Sequence, residues 1–399
     1  MDITERAWII GKLYTTIAEY FAHWQDADFT RDQLDDIYKS YLNECLLADG
    51  RQAFVSVLKR WIGQLNNAHS WCHDKRGDSA PSLGFKLERI QDGWVVVSSY
   101  LDEVVPGDVI ETMDGRSPQE WMDIVAPFLS ARSQKFRESQ WQNMVSAVRD
   151  AHDMQLKVRT RNGRIKHITH PSGYARIDTT SVQCTEGRWL TDGAVGYIRI
   201  PSFNQPNFEE TALHYVKKFS EAKSIIIDLR SNAGGATPGH LIDALMERKY
   251  RWWTETSPNI GHLWRRHQGN GKFSIFEDGS GARCESDWTD PSVSVFEGKV
   301  IIVAGRYTGS AAEDFIMPFK DTKRGVFIGE STGGSTGQPV FFEHDGVSVG
   351  VGSIRAYLPD GTPFEGVGIL PDVYVRQSRD DLYQGRDVVL ERAIEEAAG

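Results

Sequence analysis

A chain of 399 residues, 40% hydrophobic and 25% charged, has an ordinary globular composition and the length for two or three domains. Its formal charge of −10 argues against a nucleic-acid binder, which needs a basic face. No apolar run approaches the length of a membrane span. The opening MDITERAWIIGKLYTTIAEYF puts acids where a secretory leader carries positive charge, so a cytoplasmic address is expected unless a leader has been removed. Cys45, Cys72, Cys184 and Cys284 lie far apart without a CxxC pair and read as free thiols. Cys72 and His73 lie near His69, but too few ligands accompany them to prefer a metal site.

Residues 1–67 predict helices. Apolar residues recur at spacings of three and four in Trp8, Ile9, Leu13, Ile17 and Phe21, and again in Phe54, Leu58, Trp61, Ile62 and Leu65. A loop with a cap interrupts them at Asp28–Thr30. Leu65-Asn66-Asn67-Ala68-His69-Ser70 and the polar loop 74–81 follow. From Ser82 the pattern predicts strands: Phe85, Leu87 and Trp94–Val97 are β formers, with a turn at Asp92-Gly93. Ser82-Leu83-Gly84-Phe85 and Val105-Pro106-Gly107-Asp108-Val109-Ile110 resemble parts of a PDZ domain. That resemblance makes Leu83, Gly84 and Phe85 a loop for a peptide terminus, beside an edge strand that pairs with peptide backbone. A purely structural PDZ-like module is the competing reading. Residues 118–153 are expected to be helical, and 154–170 to return to strand.

A second α/β block is expected from about Ser181. Gly196–Ile200 is a strand, Phe208–Ala222 an amphipathic helix, and Ser224–Leu229 a buried strand, being apolar almost throughout. It runs into Arg230-Ser231-Asn232-Ala233-Gly234-Gly235. Adjacent glycines let a backbone approach a ligand closely, or merely make a tight turn. A phosphate loop is disfavoured because no Gly-Lys-Ser/Thr follows. Asp228 and Arg230 read as structural, holding that turn. Residues 247–292 form an irregular aromatic and basic insert, either an interface or substrate wall or a loop over its own small core.

Val300–Val303, the turn through Gly305 and Gly309, and the helix formers from Ala311 onward make a strand–turn–helix signal. Ser310 falls at the helix mouth. There its hydroxyl can serve as a nucleophile, with the Ala311 N–H as an oxyanion donor. It can equally be a simple N-cap. A strand at Val326–Gly329 leads into Glu330-Ser331-Thr332-Gly333-Gly334-Ser335-Thr336-Gly337-Gln338. Strands over 339–343 and 347–357 follow, then Phe364-Glu365-Gly366-Val367-Gly368-Ile369-Leu370-Pro371-Asp372 and a helix over 386–398.

Taken together, GYIRIPSF, IIIDLRSNAGG, TGSAAEDF, IGESTGG and FEGVGILPD, in that order, resemble the catalytic domain of the tail-specific (C-terminal processing) serine peptidases. That superfamily includes the tricorn core and the interphotoreceptor retinoid-binding protein repeats. The resemblance implies a mixed α/β, ββα-spiral (ClpP/crotonase-like) catalytic domain over 181–399. It also implies an N-terminal helical region over 1–75 and a PDZ-like module over 82–172. It makes Ser310 the nucleophile and gives the oxyanion donors to Ala311 and to Gly234 or Gly235. The tail-specific branch takes its base from a lysine in a G-K-G loop, but Gly334-Ser335-Thr336 stands at that place. Lys320 and Lys323 lie on the helix and its exit. The tricorn-like branch instead implies His69 as base and Glu365 as its orienting acid, with Ala68 where that pattern has a serine. The implied activity is a serine endopeptidase working through an acyl-enzyme, with no metal or organic cofactor. A polypeptide is the implied partner, and a homo-oligomer is compatible with it. The alternative is a non-catalytic ligand- or peptide-binding protein on the same scaffold.

Overall fold

The helical spacing of the N-terminal third builds α1 (Ile3–Tyr20), α2 (Leu34–Leu47) and α3 (Gly50–Gly63) in the computed structural model. It describes residues 1–77, 83–91, 93–149, 153–171, 184–293 and 296–399. Ser82, Asp92 and Ser181, which the sequence marks as loop, turn and start of the second block, lie outside these. Asp2 and Glu5 close the start of α1 with a reciprocal capping box. Ile9, Leu13, Ile17, Phe54, Leu58 and Trp61 are buried between the helices. The helices do not complete this core alone. β1 (Trp71–Asp74) pairs antiparallel with residues 347–350, and Val347, Val349 and Val351 pack into the helical core.

Next, β2 (Phe85–Ile90), β3 (Gly93–Ser99) and β4 (Val109–Met113) lead to α4 (Pro118–Val125) and α5 (Gln134–Val148). β5 (Met154–Arg159) and β6 (Ile165–His170) complete an antiparallel sheet in sequential order. The helical stretch expected over 118–153 is thus two helices. Pro127 follows α4, and its missing N–H and its ring stop the helix from continuing. Trp94, Trp141, Val145 and Leu156 fill the core of this module.

The second block begins with β7 (Glu186–Leu190), β8 (Val195–Arg199), α6 (Pro206–Lys218), β9 (Ser224–Asp228) and α7 (Gly239–Leu245). It continues with β10 (Thr254–Ser257), α8 (Ile260–Arg266), β11 (Lys272–Ile275), β12 (Ala282–Glu285), β13 (Lys299–Ala304), α9 (Ala311–Thr322) and β14 (Gly325–Gly329). β15 (Pro339–His344), β16 (Val347–Gly352), β17 (Arg355–Tyr357), β18 (Val373–Tyr374), α10 (Arg379–Gln384) and α11 (Val388–Ala398) close the chain. The main sheet runs β18-β14-β13-β9-β8-β7, parallel except for the β7–β8 pair. Its centre reads as continuous Ile and Val because both faces are covered: α6, α7 and α9 pack on one side and α11 on the other. The class is therefore mixed α/β. Carboxyl ends of parallel strands face a common edge, where loops can converge on a ligand. The turns after β9 and β13 meet at that edge.

Residues 247–292 are more regular than their sequence suggests. β10, β11 and β12 join β17 in a separate sheet, ordered β11-β12-β10-β17, over a small core of Leu263, Ala282, Cys284 and Ile354. Two of the basic residues turn inward, Arg266 and His267 both bonding the buried Glu255, while Arg248, Lys249 and Arg265 stay exposed. Among the described residues, no helix is long and apolar enough to cross a membrane.

Candidate active site

Two turns are stitched together before any reactive group is considered. Thr308 Oγ1 donates to the Leu229 carbonyl at 2.8 Å, and the Gly309 N–H donates to the Asn232 carbonyl at 3.1 Å. Ser310 leaves this junction at φ 53° and ψ −126°, a left-handed φ that costs a non-glycine residue of order 1–3 kcal/mol. Ser310 and Glu313 face each other as a capping box, yet the Glu313 N–H bonds the Ser310 carbonyl at 2.7 Å and the Ser310 hydroxyl lies 3.2 Å from the nearest imidazole nitrogen. Glu313 caps the mouth of the helix. Its Oε2 accepts from the N–H groups of Ser310 at 3.0 Å and Ser335 at 3.2 Å, and its Oε1 from Gly334 at 2.8 Å. One buried carboxylate thus ties the helix mouth to the 334–335 loop. Burial pushes the Glu313 carboxyl up to about 7, against those bonds, which favour the charged form.

The glycine pair lies against the serine. A Cβ on Gly234 would sit 2.6 Å from Ser310 Cβ and 3.0 Å from the Ala311 nitrogen, and its φ is +109°. The two glycines are not equivalent as donors. The Gly234 N–H donates to Asn232 Oδ1 at 2.9 Å. Gly235 forms a parallel bridge with Phe203, made by the Phe203 N–H to the Gly234 carbonyl and the Ala236 N–H to the Phe203 carbonyl. In that pattern Gly235 points its own N–H away from Phe203. Ala311 opens α9, where backbone N–H groups have no intrahelical acceptor.

His69 arrives from the loop that follows α3. Asn67 Oδ1 accepts from the His69 N–H and from Ser70 Oγ, both at 3.1 Å, and Ser70 Oγ accepts from the Gly352 N–H at 3.0 Å. The shared core of α1–α3 and β16 therefore fixes the imidazole. Its Nε2 lies 3.2 Å from Ser310 Oγ and its Nδ1 2.8 Å from Ser335 Oγ. Burial lowers its pKa to about 4, leaving the ring neutral at neutral pH, with one nitrogen a donor and the other an acceptor.

The sequence reading brings Ser310, Ala311, Gly234, Gly235 and His69 to this place, and the structure assembles them. Glu365 is close by but not on the ring, since both ring nitrogens bond serines. It lines a small cavity together with Ala68 and Ser335. It is buried, its Oε1 has no hydrogen-bond partner, and burial raises its pKa well above the usual carboxylate range, with the Arg355 guanidinium opposing. Neither lysine reaches the serine: Lys320 pairs with Asp372, and Lys323 is the exposed left-handed cap of α9. Lys135 on α5 holds the carbonyls of Ser331 and Thr332 and the Ser331 hydroxyl. Leu83 and Phe85 are buried within the β2–β6 module. Asp228 and Arg230 are hydrogen-bonded to each other, and Arg230 also reaches Asp387 at the start of α11. Among the described residues, no cluster of three His, Cys, Asp or Glu side chains is placed to hold a metal.

Two residues were missed. Glu313 was legible, since Ser310-x-x-Glu313 has the capping-box spacing. Ser335 was not, because its contact with His69 spans 266 positions and no local signal marks it.

A serine hydroxyl at a helix mouth, beside a neutral imidazole and backbone N–H groups, is an arrangement that can support serine-type hydrolysis. Residues 194–375 match the sequence profile of peptidase family S41. The chain is 26% identical over 398 residues to the tricorn protease of Thermoplasma acidophilum, covering 94% of this chain and 33% of that one. It is 27% identical over 207 residues to a tricorn protease homolog of Saccharolobus solfataricus, covering 51% of this chain and 17% of the other. With the carboxy-terminal-processing protease of Bartonella bacilliformis it shares 25% identity over 210 residues, 51% of this chain and 44% of the relative. The chain thus spans less than half the length of these curated relatives. Among solved structures, mature CPAF complexed with lactacystin matches with a TM-score of 0.73 at 14% identity, covering 99% of this chain and 98% of that one. The photosystem II D1 C-terminal processing protease matches at 0.53 and 16% identity, covering 93% and 92%. These structural likenesses speak to the fold.

Proposed function

We propose that the chain is a serine endopeptidase acting on polypeptides through an acyl-enzyme on Ser310. The observation that carries this is the 3.2 Å approach of His69 Nε2 to the Ser310 hydroxyl at the mouth of α9. Nε2 takes the Oγ proton as Oγ attacks the peptide carbonyl carbon. Negative charge on the carbonyl oxygen is held by the N–H groups of Ala311 and Gly235, with Gly234 shaping the turn rather than donating. The imidazolium is stabilised through Nδ1–H donating to Ser335 Oγ, which fixes the tautomer. Glu365, which lines the same small cavity as Ser335, does not bond the ring. Nε2–H then protonates the leaving amine, and water, activated by the same nitrogen, releases the acid and restores Ser310.

The finer architectural reading belongs to the same proposal. Residues 1–75 supply the base, residues 82–172 form a PDZ-like module, and residues 181–399 form a ββα-spiral catalytic domain. The test is hydrolysis of an unfolded protein such as casein, followed by mass spectrometry of the fragments. Internal cleavage by the wild type is expected, with Ser310→Ala and His69→Ala reduced ~10³-fold or more while remaining folded. A Ser310→Ala protein that cleaves at the wild-type rate would refute the assignment.

A further inference from the structure

The strand that the PDZ resemblance gives to peptide binding is β2. It is the outer strand of its sheet, so one of its edges faces away from β3. A peptide docking there would add a strand, exchanging N–H and C=O bonds with alternate residues of β2. In this structure a side chain already makes that exchange. The Leu87 N–H donates to Gln142 Oε1 at 2.7 Å, and Gln142 Nε2 donates to the Leu87 carbonyl at 2.8 Å. A carboxamide has the same planar donor and acceptor as a peptide bond, so Gln142 occupies the slot of an incoming strand.

The occupant is firmly held. Gln142 is buried on α5, and the adjacent Trp141 is fully buried and set edge-on against Trp94, with ring centroids 5.1 Å apart. The start of α5 is fastened by Lys135 to the carbonyls of Ser331 and Thr332, just before Ser335. Admitting a strand would mean displacing the Gln142 carboxamide from Leu87, on a helix anchored by Trp141 and Lys135. The terminus loop is packed into the module: the Leu83 and Phe85 side chains are core residues, and the Leu83 carbonyl accepts from His170 Nε2 at 2.8 Å.

We infer that substrates are chosen by the Ser310 cleft alone, as internal segments of extended polypeptide, without recognition of a free C-terminal carboxylate. This rests on the peptidase reading above and narrows its substrate class. The experiment takes one decapeptide from the casein digest that the full-length wild type cleaves, prepared as free acid and as C-terminal amide. The ratio of kcat/KM is expected to stay within about threefold, and a loss of about tenfold or more on amidation would overturn the inference. Binding of the same two peptides, fluorescein-labelled, to Ser310→Ala is followed by anisotropy, which reads the groove without catalysis. Equal behaviour of acid and amide supports the inference, and a free acid that binds about tenfold tighter overturns it. A wild type that cleaves nothing refutes the peptidase reading, and the binding arm still decides whether the groove is closed.

Discussion

At the scale of single residues, the chemistry depends on how His69 is held. A buried imidazole resists charging, which is why its pKa falls to about 4 from the 6.5 of an open histidine. As the proposed base, His69 is competent when neutral, so kcat/KM should hold as pH falls through 6.5 and be lost only as it passes about 4. A pH–rate profile with its acid limb near the ordinary histidine value would contradict this environment. Stability carries the same sign. The unfolded chain takes up the proton first, so His69 and the buried His23, lowered to about 3, withdraw stability as pH drops below 6.5. Ser335 acts one atom further out. Ser335→Ala would leave Nδ1–H without its acceptor, and kcat should fall ~10–100-fold with KM little changed. An unchanged kcat would show that Ser335 does not orient the ring.

Among elements, the turn after β9 and the mouth of α9 are built for each other. A Cβ on Gly235 would lie 2.1 Å from the Phe203 carbonyl carbon, at φ +136°, so Gly235→Ala must move backbone. If Gly235 is the oxyanion donor proposed above, this displaces it, and a ~10²–10³-fold loss of kcat is expected in a protein that still folds. Near-normal turnover would assign the donor elsewhere. Much of this element was legible in advance. The β-branched run of β13, the glycine turn and the helix formers of α9 each signal locally. What was not legible is long-range. The pairing of β1 with β16, the Ser335–His69 contact and the Gln142 carboxamide on Leu87 join segments whose sequences carry no mark of one another. The insert over 247–292 looked irregular because its strands are only four residues each, too short to display a period.

Over the whole molecule, the proposed base and nucleophile lie 241 positions apart in the chain, and a core shared by the N-terminal helices and β16 holds the base's loop. Val349 on β16 is fully buried among the N-terminal helices, and β1, which pairs with β16, begins two residues after His69. Val349→Ala should cost about 2 kcal/mol. Hydrogen exchange should then show the amides of α3, β1 and β16 losing protection together, with activity falling alongside them. Loss confined to β16 would mean that the helices stand without it.

The central claim is that Ser310 is made nucleophilic by His69. The direct measurement is reaction of the intact chain with a fluorophosphonate probe, with the adduct located by peptide mapping. The account predicts a single adduct on the peptide carrying Ser310, absent in Ser310→Ala and nearly absent in folded His69→Ala. Equal labelling of wild type and Ser310→Ala, or an adduct on another serine, would contradict it.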